Sequence, residues 1–306
     1  MMFKRLICLL LAVGLVSIFA RAAAAHDPIR VEYTTTDGVK IVGDYWTPIK
    51  TTKTGAPLVM LLHMYRSDRT AWHPQIIALE YAGFAIMAID LRGHGESIEP
   101  AEMNLAARVQ SRDETLFNAM HKDVAGAYEW LRSRSDVDLS RIAIIGASVG
   151  CSVALDYAQR DLSVDAVALL SPGTKYLGVD SMAHIKDFGP RHVLMVTSEE
   201  ERSGGFDELV SAAKSGGAHV EEKVFAGSGI HGTRMYGQVG GVEERIAKFL
   251  ETHVSEMQGE HVYGTTVSDA YFTQKQIAVM RFKPGILRTY SSAAEAEQRG
   301  LKGRGK

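Results

Sequence analysis

"RIAIIGASVGCSVAL", residues Arg141 to Leu155, runs from a β-branched apolar string through two glycines around a serine into a small-residue helical pattern. A short continuous apolar run of this kind suits a strand buried on both faces. The turn Gly146-Ala147-Ser148-Val149-Gly150 is a G-x-S-x-G sequence, and in a strand-turn-helix setting it projects the serine hydroxyl off the end of the sheet. The flanking glycines let strand and helix pass closely without Cβ clashes. A helix starting at Val149 also presents unpaired N–H groups and its positive dipole end beside Ser148, where an oxyanion would be stabilised. A dinucleotide-binding turn would carry glycine where Ser148 stands.

Strand-like and helix-like patterns alternate outward from this stretch. "VEYTTTDG" and "VKIVGDYW" meet at Asp37-Gly38, a hairpin signal that predicts an antiparallel pair. Six apolar runs follow: "LVMLLHM", "FAIMAIDL", "IAIIGAS", "AVALLS", "HVLMVTS" and "HVEEKVFAG". Met120, Val124, Ala127, Tyr128 and Leu131 recur at helical spacing, as do Val242, Ile246, Phe249, Leu250 and Met257. Asp207 to Lys214 forms a shorter helical pattern. The prediction is an α/β fold with a mostly parallel, twisted sheet of about eight strands covered by helices.

The 306 residues are 46% hydrophobic and 23% charged, with formal charge −2. That balance implies neither nucleic acid nor an anionic surface as a partner. The start, "MMFKRLICLLLAVGLVSIFARAAAAHDP", places Lys4 and Arg5 before an apolar run ending at Ala20 and small residues ending at Ala25. This pattern predicts a secretory leader over 1–25, cleaved after Ala25, and a secreted or periplasmic protein. The run is shorter than the ~20 residues of a spanning helix, so no membrane anchor is expected after its removal. Of the two cysteines, Cys8 leaves with the leader and Cys151 reads as a small buried apolar residue, so no internal disulfide is expected. Residues 26–257 read as one catalytic domain. The pattern breaks down in 258–306, a C-terminal extension with a basic, Gly-rich end expected to be partly disordered.

Ligands of parallel α/β sheets meet the carboxyl ends of the strands, and the residues there form a chemical set. A serine hydroxyl needs a general base. Among eleven histidines, His231 in "AGSGIHGTRMY" follows the last strand in a Gly-rich loop. Nucleophile, acid, then histidine is the chain order of one hydrolase architecture. His219 precedes that strand and falls at the opposite end of the sheet. The acid belongs after "HVLMV", where Glu199, Glu200 and Glu201 compete, one of them with Arg202 as an ion-pair partner. The oxyanion hole draws one amide from Val149 and a second from the loop His63 to Asp68, with Tyr65 as the candidate. No H-E-x-x-H pair suggests zinc, and no metal or organic cofactor is expected.

These residues resemble the α/β-hydrolase family, and within it the compact dienelactone-hydrolase-like and esterase-like members. The resemblance runs from about His26 to Met257. "LLHMYRSDRTAW" looks like the family's oxyanion segment, with Met64 in place of the usual glycine. "AIDLRGHGES" is similar to a signature in which Asp90, Arg92 and His94 organise a loop. "RIAIIGASVG" resembles the nucleophile elbow, "GSGIHGT" the histidine loop, and "LLSPGTKYLGV" the segment after the sixth strand. The family usually carries aspartate after the seventh strand. Laying "TSEEE" on that pattern implies Glu201 as the acid, with Glu200 as the alternative register and Asp180 as a remoter one. The resemblance implies a serine hydrolase in which Ser148 attacks, His231 takes its proton and Glu201 orients the imidazole. Only Thr174 to Arg191 separates the sixth and seventh strands, so no large lid domain is expected. A small or short-acyl carboxylic ester is the expected substrate, with Tyr176, Met182 and Phe188 as candidate pocket residues. A lactone or dienelactone hydrolase or a peptidase would share the triad, and a non-catalytic binding protein would share the scaffold.

Overall fold

The computed structural model describes residues 26–49, 54–227 and 229–255. Residues 1–25, read above as a leader, the C-terminal extension 258–306 and Met257 lie outside the described residues. Strand β1 (Ile29–Thr34) turns through Asp37-Gly38 into β2 (Lys40–Trp46), antiparallel with Thr34 opposite Lys40. The chain continues through β3 (Ala56–Leu62), α1 (His73–Tyr81), β4 (Ala85–Ile89), α2 (Leu105–Gln110), α3 (Glu114–Asn118) and α4 (His121–Leu131). Then come β5 (Val137–Ala147), α5 (Val149–Arg160) and β6 (Val164–Leu170). A small hairpin of β7 (Lys175–Tyr176) and β8 (Val179–Asp180) precedes α6 (Ser181–Lys186). Strand β9 (His192–Ser198), α7 (Phe206–Ser215), β10 (His219–Phe225) and α8 (Val242–Leu250) complete the order.

The main sheet has eight strands in the order β1-β2-β4-β3-β5-β6-β9-β10. Its β1–β2 and β2–β4 pairs are antiparallel and the rest are parallel. The chain leaves β3 for β4 on one side and later returns to β5 on the other. The carboxyl ends of β3 and β5 therefore form the switch point at which open α/β sheets take ligands.

Side chains alternate between the two faces of each central strand, which explains the continuous apolar runs. Met60, Leu62, Ile144 and Leu169 pack beneath α4, α5 and α7 with Val124, Leu155 and Leu209. Leu61, Ile145, Ala168 and Val196 face the other way, onto Ile76 and Leu79 of α1 and Ile246 and Phe249 of α8. Each large aliphatic side chain fully buried this way contributes about 1.5–3 kcal/mol.

Buried charges fix the loop after β4. Asp90 accepts the backbone N–H groups of Arg69 and Glu96, both at 2.8 Å, and pairs with the Arg69 guanidinium. Arg92 bridges Asp123 and Asp37. Each of these charges is compensated where it is buried, so removing one partner would strand the other.

Candidate active site

Strand β5 ends at Ala147 and α5 begins at Val149, leaving Ser148 alone to make the turn. Its backbone sits at φ 53° and ψ −118°, a conformation that L-residues rarely adopt and that neighbouring structure must enforce. Two close approaches enforce it. A Cβ on Gly146 would lie 2.3 Å from the Gly150 carbonyl oxygen, and one on Gly150 would lie 2.1 Å from that of Leu62. The Ser148 N–H donates to the Leu170 carbonyl at 2.9 Å, tying the elbow to the end of β6. Ser148 itself is 7% exposed.

The Gly150 contact also brings the start of α5 against the loop that follows β3. There His63 is buried, its Nδ1 2.8 Å from the Met64 carbonyl and its Nε2 3.0 Å from the Leu91 N–H. These partners define an Nδ1–H tautomer that donates to the carbonyl and accepts from the amide. Burial first, and His94 second, push its pKa down to about 3, so the ring is a neutral strut. The Tyr65 ring is held edge-on by His94 and Phe117, and its hydroxyl donates to the Val109 carbonyl at 3.3 Å. Among the described residues, neither the Tyr65 nor the Val149 backbone N–H donates to a protein acceptor.

His231 follows β10 and precedes a short 3-10 turn, Gly232–Met235. Its Nδ1 lies 2.6 Å from Glu201 Oε1, within the range of a charge-assisted hydrogen bond. With Nδ1–H donated to the carboxylate, Nε2 keeps its lone pair and can accept a proton. Glu200 turns elsewhere and accepts the Gly229 N–H at 2.8 Å, so it braces the histidine loop. The two glutamates occupy a 3-10 turn, Glu199–Gly204, directly after β9.

Three further contacts seat the histidine. Gly232 donates its N–H to Ser171 Oγ at 2.9 Å. A Cβ placed on Gly232 would lie 3.6 Å from that of Ala147 and 3.1 Å from Met64 Sδ, so the loop rests beside the elbow. The Tyr176 ring meets His231 edge-on at 6.2 Å, with its hydroxyl 3.3 Å from the Ser171 carbonyl. The structure thus joins His231 to Glu201 directly and to Ser148 through neighbouring residues. No hydrogen bond between the Ser148 hydroxyl and the His231 ring is present among the described residues. In unliganded sites such bonds often tighten only with substrate.

Several expectations need correction. Phe188 is fully buried with the Arg191 guanidinium 3.9 Å from its ring centre, so it lines no acyl pocket. Met182 borders a surface groove between α6 and α7, leaving Tyr176 as the one pocket candidate in contact with His231. Arg202 pairs with Asp207, not with a glutamate. Asp180 caps α6 by accepting the Ala183 N–H at 2.9 Å. His219 stacks on His192 at the amino ends of β10 and β9, away from the site. Sequence reasoning missed Ser171, Glu200 as a loop brace, and Tyr176 as a support for the imidazole. Ser171 stands in the quoted "LLSPGTKYLGV" segment, but its positive φ of 52° has no sequence signal. No cluster of three or more His, Cys, Asp or Glu side chains suited to a metal occurs among the described residues.

An eight-stranded, mostly parallel sheet with a serine elbow at its switch point and a His–Glu pair beside it is an α/β-hydrolase of the compact, esterase-like kind. More narrowly, the chain belongs to the acetyl xylan esterase (AXE1) family, whose model matches residues 22–177. The matched segment holds the Tyr65 loop and the Ser148 elbow and ends before Glu201 and His231. The fold is similar to that of an esterase from Pyrococcus furiosus, with TM-score 0.57, 20% identity, and coverage of 74% of this chain and 93% of that one. It is also similar to a dienelactone hydrolase from Anabaena variabilis, with TM-score 0.54, 18% identity, and coverage of 74% and 97%. An uncharacterised protein of Mycobacterium tuberculosis is 32% identical over 150 residues, 48% of this chain and 47% of its own. The chain spans about half the length of the curated relatives it matches first.

Proposed function

We propose that the chain is an exported serine hydrolase that cleaves small, short-acyl carboxylic esters through an acyl-enzyme on Ser148. The observation that carries this reading is the 2.6 Å contact of His231 Nδ1 with Glu201, beside a serine held in a strained elbow. His231 Nε2 takes the Ser148 proton as Oγ attacks the acyl carbon, and Glu201 stabilises the imidazolium that forms. The oxyanion is received by the Tyr65 and Val149 amides, fixed donors that need no reorganisation as charge develops. The imidazolium returns its proton to the leaving alkoxide, releasing the alcohol. Water then repeats the sequence on the acyl-enzyme, releasing the acid and restoring Ser148.

Two features support a short acyl group. The segment between β6 and β9 is brief, with only a two-stranded hairpin and α6 in it, and the family is named for acetyl ester hydrolysis. The leader over 1–25 supports export, with cleavage after Ala25 and release into the periplasm or medium. No nucleic acid partner and no lasting membrane anchor enter this reading.

The test is a hydrolysis series across p-nitrophenyl esters of increasing chain length, with acetylated xylan, lactones and peptide amides alongside. The expected result is the highest kcat/KM for acetyl or propionyl esters and its loss in Ser148→Ala. A preference for lactones or peptide amides would overturn the substrate assignment.

A further inference from the structure

Glu80 stands in the last turn of α1, where the negative end of the helix dipole disfavours an anion. Its side chain is nevertheless only 4% exposed, and a carboxylate so placed requires a compensating cation. The cleft around it, about 450 Å³, is lined by His26, Thr47, Pro48, Ile49, Ile77 and Tyr81. Among the described residues, no lysine or arginine lines it. Among the described residues the charged partner is His26: its ring Nδ1 lies against Glu80 Oε1, and its Nε2 is 3.2 Å from Thr47 Oγ1. The His26 backbone N–H also acts on the Glu80 carboxylate, countering the burial that raises its pKa.

His26 is the residue that follows the Ala25 cleavage position. We propose that Glu80 is the receptor for the mature amino terminus, forming an ion pair with the His26 α-ammonium once the leader is removed. The inference rests on the export reading alone and is independent of ester hydrolysis. Cleavage breaks the Ala25–His26 C–N bond, with the hydroxyl of water passing to the Ala25 carbonyl carbon. The His26 nitrogen takes one proton from that water and, at neutral pH, a second from the new carboxyl group. A neutral amide nitrogen thereby becomes a full cation in the residue whose ring already lies against Glu80. The ring is a weaker substitute, because an imidazole is charged only when protonated.

Processing would therefore complete the fold. The mature chain gains a fixed start to β1, and the uncleaved chain lacks that contribution. Glu80 is enclosed, but His26 is 41% exposed at the rim beside the exposed Ile49 and Tyr81, so the pair forms at the mouth of the niche, where solvent screens it in part.

The test compares full chains beginning at a free His26, prepared by site-specific proteolysis of a tag, with chains that keep Gly-Ser ahead of His26. The free form is expected to melt about 3–6 °C higher. That difference should vanish in Glu80→Gln and persist in His26→Ala, which keeps the amine and removes the ring. If Glu80→Gln does not fold, acetylation of the free amine in the wild-type chain should abolish the same increment. Equal melting of free and extended chains, or equal loss from Glu80→Gln in both, would overturn the pairing. The mass of the exported chain is read separately, and a start other than His26 would defeat the cleavage assignment on which the proposal stands.

Discussion

Replacing Glu201 by glutamine removes a charge from the site while keeping its shape. The amide oxygen can still accept the His231 Nδ1–H now 2.6 Å from the carboxylate, so what disappears is the attraction between carboxylate and imidazolium. With charge centres about 4 Å apart and an effective dielectric of about 20, that attraction is about 4 kcal/mol. The side chains are 31% and 27% exposed, and the solvent they meet trims it. The substitute also buries an N–H₂ where Glu201 Oε2 is enclosed without a hydrogen-bond partner, a further destabilising contact. Turnover should fall about 10²–10³-fold with KM changed little, because the lost interaction grows in the transition state. Glu200→Gln keeps an acceptor for the Gly229 N–H and should stay within about threefold of wild type, since a net hydrogen bond is worth only about 1 kcal/mol. Steady-state hydrolysis of p-nitrophenyl acetate by both variants, with circular dichroism to verify folding, separates them. The reasoning is refuted if Glu200→Gln is the costlier change, or if Glu201→Gln retains more than about a tenth of wild-type turnover.

Other substitutions probe the supports of the site. Ser171→Ala leaves the Gly232 N–H without its acceptor, a cost of about 1–3 kcal/mol, and should lower kcat about 10- to 100-fold in the same assay. Gly150→Ala drives a methyl group into the Leu62 carbonyl and should destabilise the fold by about 3 kcal/mol or more, measured by urea unfolding. Cys151 is buried with Sγ facing the Gly146 and Leu170 carbonyls, and burial pushes its thiol pKa well up. Cys151→Ser should therefore keep activity, and iodoacetamide should leave Cys151 of the folded wild type unmodified. His63, with its pKa lowered to about 3, stays neutral in the fold while the unfolded chain protonates it near 6.5. Its contribution is fully present above about pH 6.5 and is lost as pH falls from there toward 3. His63→Gln should reduce the slope of stability against pH between about 6 and 4 by close to one proton.

The inner strands β3, β4, β5, β6 and β9 were legible because positions buried on both faces leave unbroken apolar runs such as Leu58 to Leu62 and Ile142 to Ile145, whereas β1 and β2 were marked by the Asp37-Gly38 turn between them. Helix α1 was not, because the buried face of Gln75, Ile76, Leu79 and Glu80 mixes polar with apolar residues and gives no clean stripe. The β7–β8 hairpin is two residues on each side, too short for periodicity to register. At the site, the elbow could be read because steric demands on Gly146 and Gly150 leave a sequence mark. The choice between Glu200 and Glu201 depends on rotation within a 3-10 turn, where neighbouring side chains diverge by about 120°. One carboxylate therefore meets the His231 ring and the next meets the Gly229 backbone. Phe188 shows the opposite failure: a loop position suggested the pocket, but its ring turns into the core beneath Arg191.

Intact-mass analysis after exposure to a fluorophosphonate tests the central claim most directly, because such a probe reports an activated serine whatever the natural ester is. The account predicts a single adduct mapped to Ser148, absent in Ser148→Ala and strongly slowed in His231→Ala. Folded protein that takes up no probe, or takes it up at another residue with Ser148 untouched, would contradict it.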